Sequence, residues 1–149
     1  MSKRFIEWSD TFYSLPVIID SRLPKPDQMR VEQDVLVELV DYRRVLLPAN
    51  FLTDCHSTPP WSQSLLPAYN NRTNLAAIVH DYLYMNWEQH LEHYPELMDV
   101  DGRSYADGIY LELMQRFNPG QWRNRLYFGA VRAFGGWNWR KFRQQTPTA

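Results

Sequence analysis

The chain predicts an α+β domain in which an N-terminal arm and a β-hairpin pack on three helices. Val35, Val37 and Leu39 alternate with their neighbours through residues 31–42, a strand period with one apolar side. Residues 75–84 contain no Gly or Pro and read as a helix. Two later stretches, residues 103–117 and the one opening at Asn118-Pro119, carry apolar side chains at helical spacing. At 149 residues, 44% of them hydrophobic, one such domain buries a core without disulfide or metal staples.

Residues 1–30 read as an extended arm interrupted by Pro16, Pro24 and Pro26, with one short strand at residues 16–20. The cluster Phe5, Trp8, Phe12 and Tyr13 leaves open an arm that orders only against a partner. In the domain that follows, residues 31–144, Arg43-Arg44 turns the chain. Val45-Leu46-Leu47 returns as the second strand of the hairpin, ended by Pro48 and Asn50. Residues 51–61 (FLTDCHSTPPW) are rich in Thr, Asp, Ser and Pro, which form turns held by side-chain-to-backbone hydrogen bonds. They make either a rigid structural loop or one that brings Asp54, His56 or Ser57 to the first helix.

The polar residues 70–74 supply N-cap candidates for that helix, which runs to about Gln89. His90 and His93 fall in a polar stretch ending at Pro95 and read as solvated. Asp99 or Asp101 opens the second helix, where a carboxylate suits the first turn. Asn118 caps the third, with Pro119 in its first turn. Trp122, Leu126, Ala130, Ala133 and Phe134 form its core face, and Gly135-Gly136 ends it. Residues 137–143 are basic and aromatic, either a short helix packing by its rings or a contact surface. Residues 145–149 read as a disordered tail.

A net charge of −1 and a pI near 6.4 give no global field toward nucleic acid or an anionic membrane. No run approaches the ~18 apolar residues of a membrane span, so stable membrane insertion is not expected. The first residues, MSKRF, lack the long apolar stretch of an export signal. Cys55 is the single cysteine, which rules out an intramolecular disulfide and agrees with a reducing compartment. Six Trp and nine Tyr suit an interface or a groove as well as a core, and a homo-oligomer stays open.

His80 shares its helix face with Ala76, Ala77, Leu83, Tyr84 and Trp87. Asp107 stands three, four and seven residues before Tyr110, Leu111 and Met114, so it too lies on an apolar stripe. A short connection makes the two helices antiparallel neighbours, which lets Asp107 meet His80. A carboxylate that holds one imidazole nitrogen leaves the other free to take a proton from water. Asp81, about a third of a turn round the helix, can hold a hard cation that needs oxygen ligands. The same residues also suit a purely structural His-Asp network.

Four blocks carry a first resemblance: Phe51-x-Thr53-Asp54-x-x-Ser57-x-Pro59, His80-Asp81-x-Leu83-Tyr84, Ala106-Asp107 and Ala130-Val131-Arg132-x-Phe134-Gly135. In this order they resemble an uncharacterised family of phage and prophage proteins, domain-of-unknown-function family 1353, over roughly residues 31–139. That resemblance implies a phage context, in a virion (at its tail or baseplate, beside other virion proteins) or in the host cytoplasm.

The second resemblance is carried by His80-Asp81-x-x-Tyr84 on one helix and Ala-Asp on the next, which is similar to the phospholipase A2 superfamily. It implies a phospholipase A2-like helical core with His80 as general base, Asp107 as its orienting carboxylate and Tyr84 hydrogen-bonded to the pair. It also implies Ca²⁺ on Asp81. Ala76, Ala77 and Leu83 stand where the secreted enzymes have cysteines, and no Gly precedes Gly102 to build their Gly-rich calcium loop. The loop at residues 54–60 is the candidate replacement, with Asp54 as the second metal ligand and Thr53, Ser57 and Pro59 supporting the site. The implied activity is hydrolysis of an ester in the host envelope; the alternative is a structural virion or assembly protein.

Overall fold

The structure, a computed structural model, describes residues 3–12, 28–53 and 72–145, and the backbone of residues 17–18. The class is α+β: short strands come first and the helices follow. Three strands form one sheet in the order β1 (Arg4–Ile6), β4 (Val35–Glu38) and β5 (Arg44–Leu47). A second sheet has the order β2 (Val17–Ile18), β3 (Met29–Val31) and β6 (Leu52–Thr53), all antiparallel.

The hairpin of β4 and β5 follows the apolar alternation of its sequence. Val35 pairs with Leu47 and Val37 with Val45, and all four side chains are buried, as is Leu39. The reversal lies at residues 39–43 rather than at Arg43-Arg44. The Leu39 N–H donates to the Arg43 carbonyl at 2.8 Å, and Tyr42 takes a left-handed φ of 65°. Asp41 holds the corner by accepting from the Arg43 N–H at 3.0 Å. The arm does not run free of this sheet: β1 lies parallel to β4, with Arg4, Phe5 and Ile6 opposite Val35, Leu36 and Val37.

Five α-helices, rather than three, occupy the described residues of the second half: α1 (Asn74–Met85), α2 (Trp87–His93), α3 (Gly102–Phe117), α4 (Trp122–Phe134) and α5 (Gly136–Gln144). Asn86 accounts for one of the extra helices. Its φ of −128° interrupts the first helical stretch, and its N–H closes α1 on the Tyr82 carbonyl at 2.8 Å. A 3₁₀ turn at Pro95–Asp99 then leads to α3, which Asp101 caps by accepting from the Ser104 N–H. Asn118 closes α3, through its N–H to the Met114 carbonyl, instead of opening the next helix. Gly120 turns the chain at φ 76°, and α4 begins only at Trp122. The buried amide of Asn124 fastens this corner by donating to the carbonyls of Met114 and Asn118.

α1 is buried along most of its length against α3, with β5 and α5 also in contact. Partners on the two helices run in opposite directions: His80 lies against Tyr110, Tyr84 against Asp107, and Trp87, just beyond α1, against Tyr105. α1 and α3 are therefore antiparallel. The start of α3 tolerates no side chain, because a Cβ on Gly102 would stand 2.6 Å from the Trp87 ring and 2.9 Å from that of Trp139. Gly102→Ala is accordingly expected to cost about 1–3 kcal/mol through forced repacking of the two indoles. Urea unfolding measures this, and a loss below about 0.5 kcal/mol would contradict the packing described.

Candidate functional site

Asp107 lies near the middle of α3 with no surface exposed, and four side chains from three helices converge on it. His80 Nε2 and Tyr84 Oη, one turn apart on α1, each stand 2.7 Å from Oδ1. Arg132 Nη1 on α4 donates to Oδ2 at 2.8 Å, and Arg103 Nε, one turn back on α3, approaches the same oxygen to 3.9 Å. Arg103 is itself anchored by donating to the carbonyls of Val131 and Arg132.

Burial alone would push the Asp107 carboxyl up. The hydrogen bond and charge of His80, with the hydrogen bonds from Tyr84 and Arg132, outweigh it and hold the group below the ordinary carboxylate range. Tyr84 moves the other way, raised by burial and by its bond to the Asp107 anion. An ionised carboxylate only accepts, so His80 donates from Nε2 and Tyr84 from its hydroxyl. In neutral His80 the proton therefore sits on Nε2, and Nδ1 carries the lone pair. Among the described residues, nothing hydrogen-bonds to Nδ1. The imidazole is held between two tyrosine rings, its centroid 4.3 Å from Tyr84 and 4.6 Å from Tyr110, so its plane is set by packing as well as by the carboxylate.

Thus the structure brings His80, Tyr84 and Asp107 together. Asp81, half-buried on the next position of α1, accepts from the Thr53 hydroxyl at 2.6 Å, which ties the end of β6 to the helix. Asp54, His56, Ser57 and Pro59 lie outside the described residues. Among those described, no three His, Cys, Asp or Glu residues gather to hold a metal ion, and one Asp81 oxygen is engaged by Thr53. One carboxylate does not make the six to eight oxygen ligands typical of calcium. The described residues do not fit that ion by themselves.

Arg103 and Arg132 have no assigned role in the sequence reading, although Arg132 stands in its last motif block. Gly135, in the same block, has a steric reason: a Cβ there would lie 2.9 Å from the Tyr84 hydroxyl and 2.5 Å from the Val131 carbonyl. His90 departs from expectation. His93 is exposed, but His90 is buried among the rings of Trp87, Tyr94 and Tyr105, and its Nε2 has no hydrogen-bond partner among the described residues. Burial pushes its pKa down to about 4.

Fold and network together define a small α+β protein whose buried acid is shared by a histidine, a tyrosine and two arginines. Residues 29–131 match the model of the family described as Protein of unknown function (DUF1353), and the chain belongs to that family. No curated protein and no solved structure matches it. Among the described residues no helix is long and apolar enough to cross a membrane.

Asp107→Ala strands two arginines and a histidine around an apolar gap. Its expected cost is about 3–5 kcal/mol, the range for breaking a buried ion pair, measured by urea unfolding. His90 sets a pH dependence. Its folded pKa lies below the ordinary ~6.5 of the unfolded chain, so its neutral form favours folding. That stability is complete above about pH 6.5 and is lost as pH falls toward about 4, up to about 3 kcal/mol. In thermal melts the wild type is expected to lose stability relative to His90→Leu as pH falls through this window, and parallel curves would refute it.

Proposed function

We propose that the chain is a hydrolase in which His80 is the general base and Asp107 the carboxylate that orients it. The observation that carries the reading is the 2.7 Å contact of His80 Nε2 with Asp107 Oδ1, which places the basic lone pair on Nδ1. In the reaction, Nδ1 takes a proton from water as the water oxygen bonds to an ester carbonyl carbon. The tetrahedral oxyanion then collapses, the carbon–alkoxide bond breaks, and Nδ1–H returns the proton to the leaving oxygen. Asp107 stays ionised throughout and stabilises the imidazolium. Tyr84 holds the carboxylate in place from the same helix.

The arrangement supports the likeness to the phospholipase A2 superfamily in three respects: the pair lies on antiparallel helices, the tyrosine follows the histidine by one turn, and both donate to one carboxylate oxygen. An ester of a host-envelope lipid is the substrate class that this likeness suggests. The likeness to phage and prophage proteins suggests delivery by a virion tail or baseplate. Calcium on Asp81 and Asp54 belongs to the same likeness, and no step above depends on it.

A second reading rests on the other oxygen of Asp107. Arg132 at 2.8 Å and Arg103 nearby neutralise the carboxylate and tie α1, α3 and α4 together, as a structural virion or assembly protein would require. Hydrolysis of short-chain phospholipid separates the two. His80→Gln is expected to keep the far-UV spectrum and lower the rate at least about 100-fold, with Tyr84→Phe intermediate. Full activity in His80→Gln would end the hydrolytic reading, as would a wild type inert both with added calcium and without it.

A further inference from the structure

The charges of this chain are segregated along its length. The first 112 residues hold nine Lys and Arg against all seventeen Asp and Glu, while the last 37 hold seven Lys and Arg and no acid. A net charge of −1 therefore conceals about −8 followed by +7. Most of the basic part is α4 and α5.

α4 also turns its apolar stripe outward. The sequence expectation placed Trp122, Leu126, Ala130, Ala133 and Phe134 on the core, but the buried residues of this helix are Asn124 and Tyr127. Trp122 is 56% exposed, Leu126 39% and Phe134 61%, and Trp137 at the start of α5 is 66% exposed. Ala133 is exposed too, and the space beside Gly129 is open. Trp122, Leu126, Gly129 and Ala133 follow one another at intervals of four, three and four, so they form one continuous stripe of the helix. Arg125 flanks it and is exposed, while Arg123 covers the Trp122 ring at 5.2 Å. On α5 the inward residues Trp139 and Phe142 pack on the core, whereas Trp137, Arg140 and Lys141 face solvent, with Lys141 over the Trp137 ring at 5.6 Å.

We infer that the outer faces of α4 and α5 dock on the surface of an anionic lipid bilayer. Exposed indole, phenyl and leucyl groups gain by entering the boundary between headgroups and acyl chains. Arg and Lys side chains rooted beside them reach back to lipid phosphates. Of the seven cations after Glu112, Arg116, Arg132 and Arg143 are paired with Glu112, Asp107 and Glu88, which leaves the exposed Arg123, Arg125, Arg140 and Lys141 for such contact. Nucleic acid would use the same positive charge, but a leucine and a phenylalanine held in solvent favour a surface with an apolar layer beneath its anions. Docking by this face is independent of the hydrolytic reading; that the bound lipid is also the substrate rests on it.

The test is co-sedimentation of the full chain with vesicles of phosphatidylcholine alone and of equal parts phosphatidylcholine and phosphatidylglycerol. Binding is expected to the anionic vesicles, to be at least tenfold weaker to the neutral ones, and to fall with added salt. Arg125→Gln with Lys141→Gln should weaken it about 25-fold, from about fivefold for each basic residue near an anionic surface. Trp137→Ser should weaken it at full charge, with far-UV spectra confirming that both variants fold. His80→Gln is expected to bind like the wild type, so a failure of catalysis and a failure of docking are read apart. No binding, equal binding to both vesicles, or unchanged binding by the Arg125→Gln/Lys141→Gln and Trp137→Ser variants would overturn the proposal. So would displacement of vesicles by duplex DNA, or a dimer in sedimentation equilibrium that Trp137→Ser dissociates.

Discussion

The carboxylate of Asp107 has no contact with solvent, and an unpaired ion in that position would undo much of a domain's stability. Everything around it follows from the need to satisfy both oxygens. His80 and Tyr84 can share Oδ1 only because they are one turn apart on a helix lying antiparallel to α3. Arg132 can reach Oδ2 only because the corner closed by Asn124 brings α4 back alongside. Gly135 completes the arrangement by leaving room for the tyrosine hydroxyl. One buried charge thus sets the relative placement of three helices and, with it, the tautomer of the imidazole.

Much of this was legible in the sequence because helical spacing is a strong local code. The positions of His80, Tyr84 and Asp107 on apolar stripes were readable, and so was the strand alternation that buries Val35, Val37 and Leu39. The arginines were not. A long basic side chain reaches several ångströms from its backbone, so Arg103 and Arg132 carry no periodic signal that separates a buried ion pair from a solvated end. The break at Asn86 and the late start of α4 were hidden for a related reason. Asn and Pro mark a helix boundary without saying which helix they bound, and here Asn118 finishes α3.

α4 shows the limit most clearly. Periodicity finds an amphipathic face but not what lies against it. The inward face uses an asparagine amide and a tyrosine ring, residues that a hydropathy pattern assigns to solvent, because Asn124 is needed to satisfy two carbonyls at the end of α3. Phe128 and Val131 pack partly buried beside them, while Trp122, Leu126 and Phe134 are left outside. A face misassigned by pattern is therefore a place to look for an external partner.

The three-residue strand β1 has a different consequence. It meets β4 in parallel from some thirty positions away, and Ile6 is its one fully buried side chain, with Phe5 lying under Arg44 at 5.0 Å. So short a ribbon has few contacts of its own, the condition under which a segment opens at less cost than a whole domain. Peeling would bare the backbone of Val35 to Val37, a ready template for another extended segment of the same direction. The rim of this sheet is thus a seam whose outer strand is supplied by the chain's own first residues.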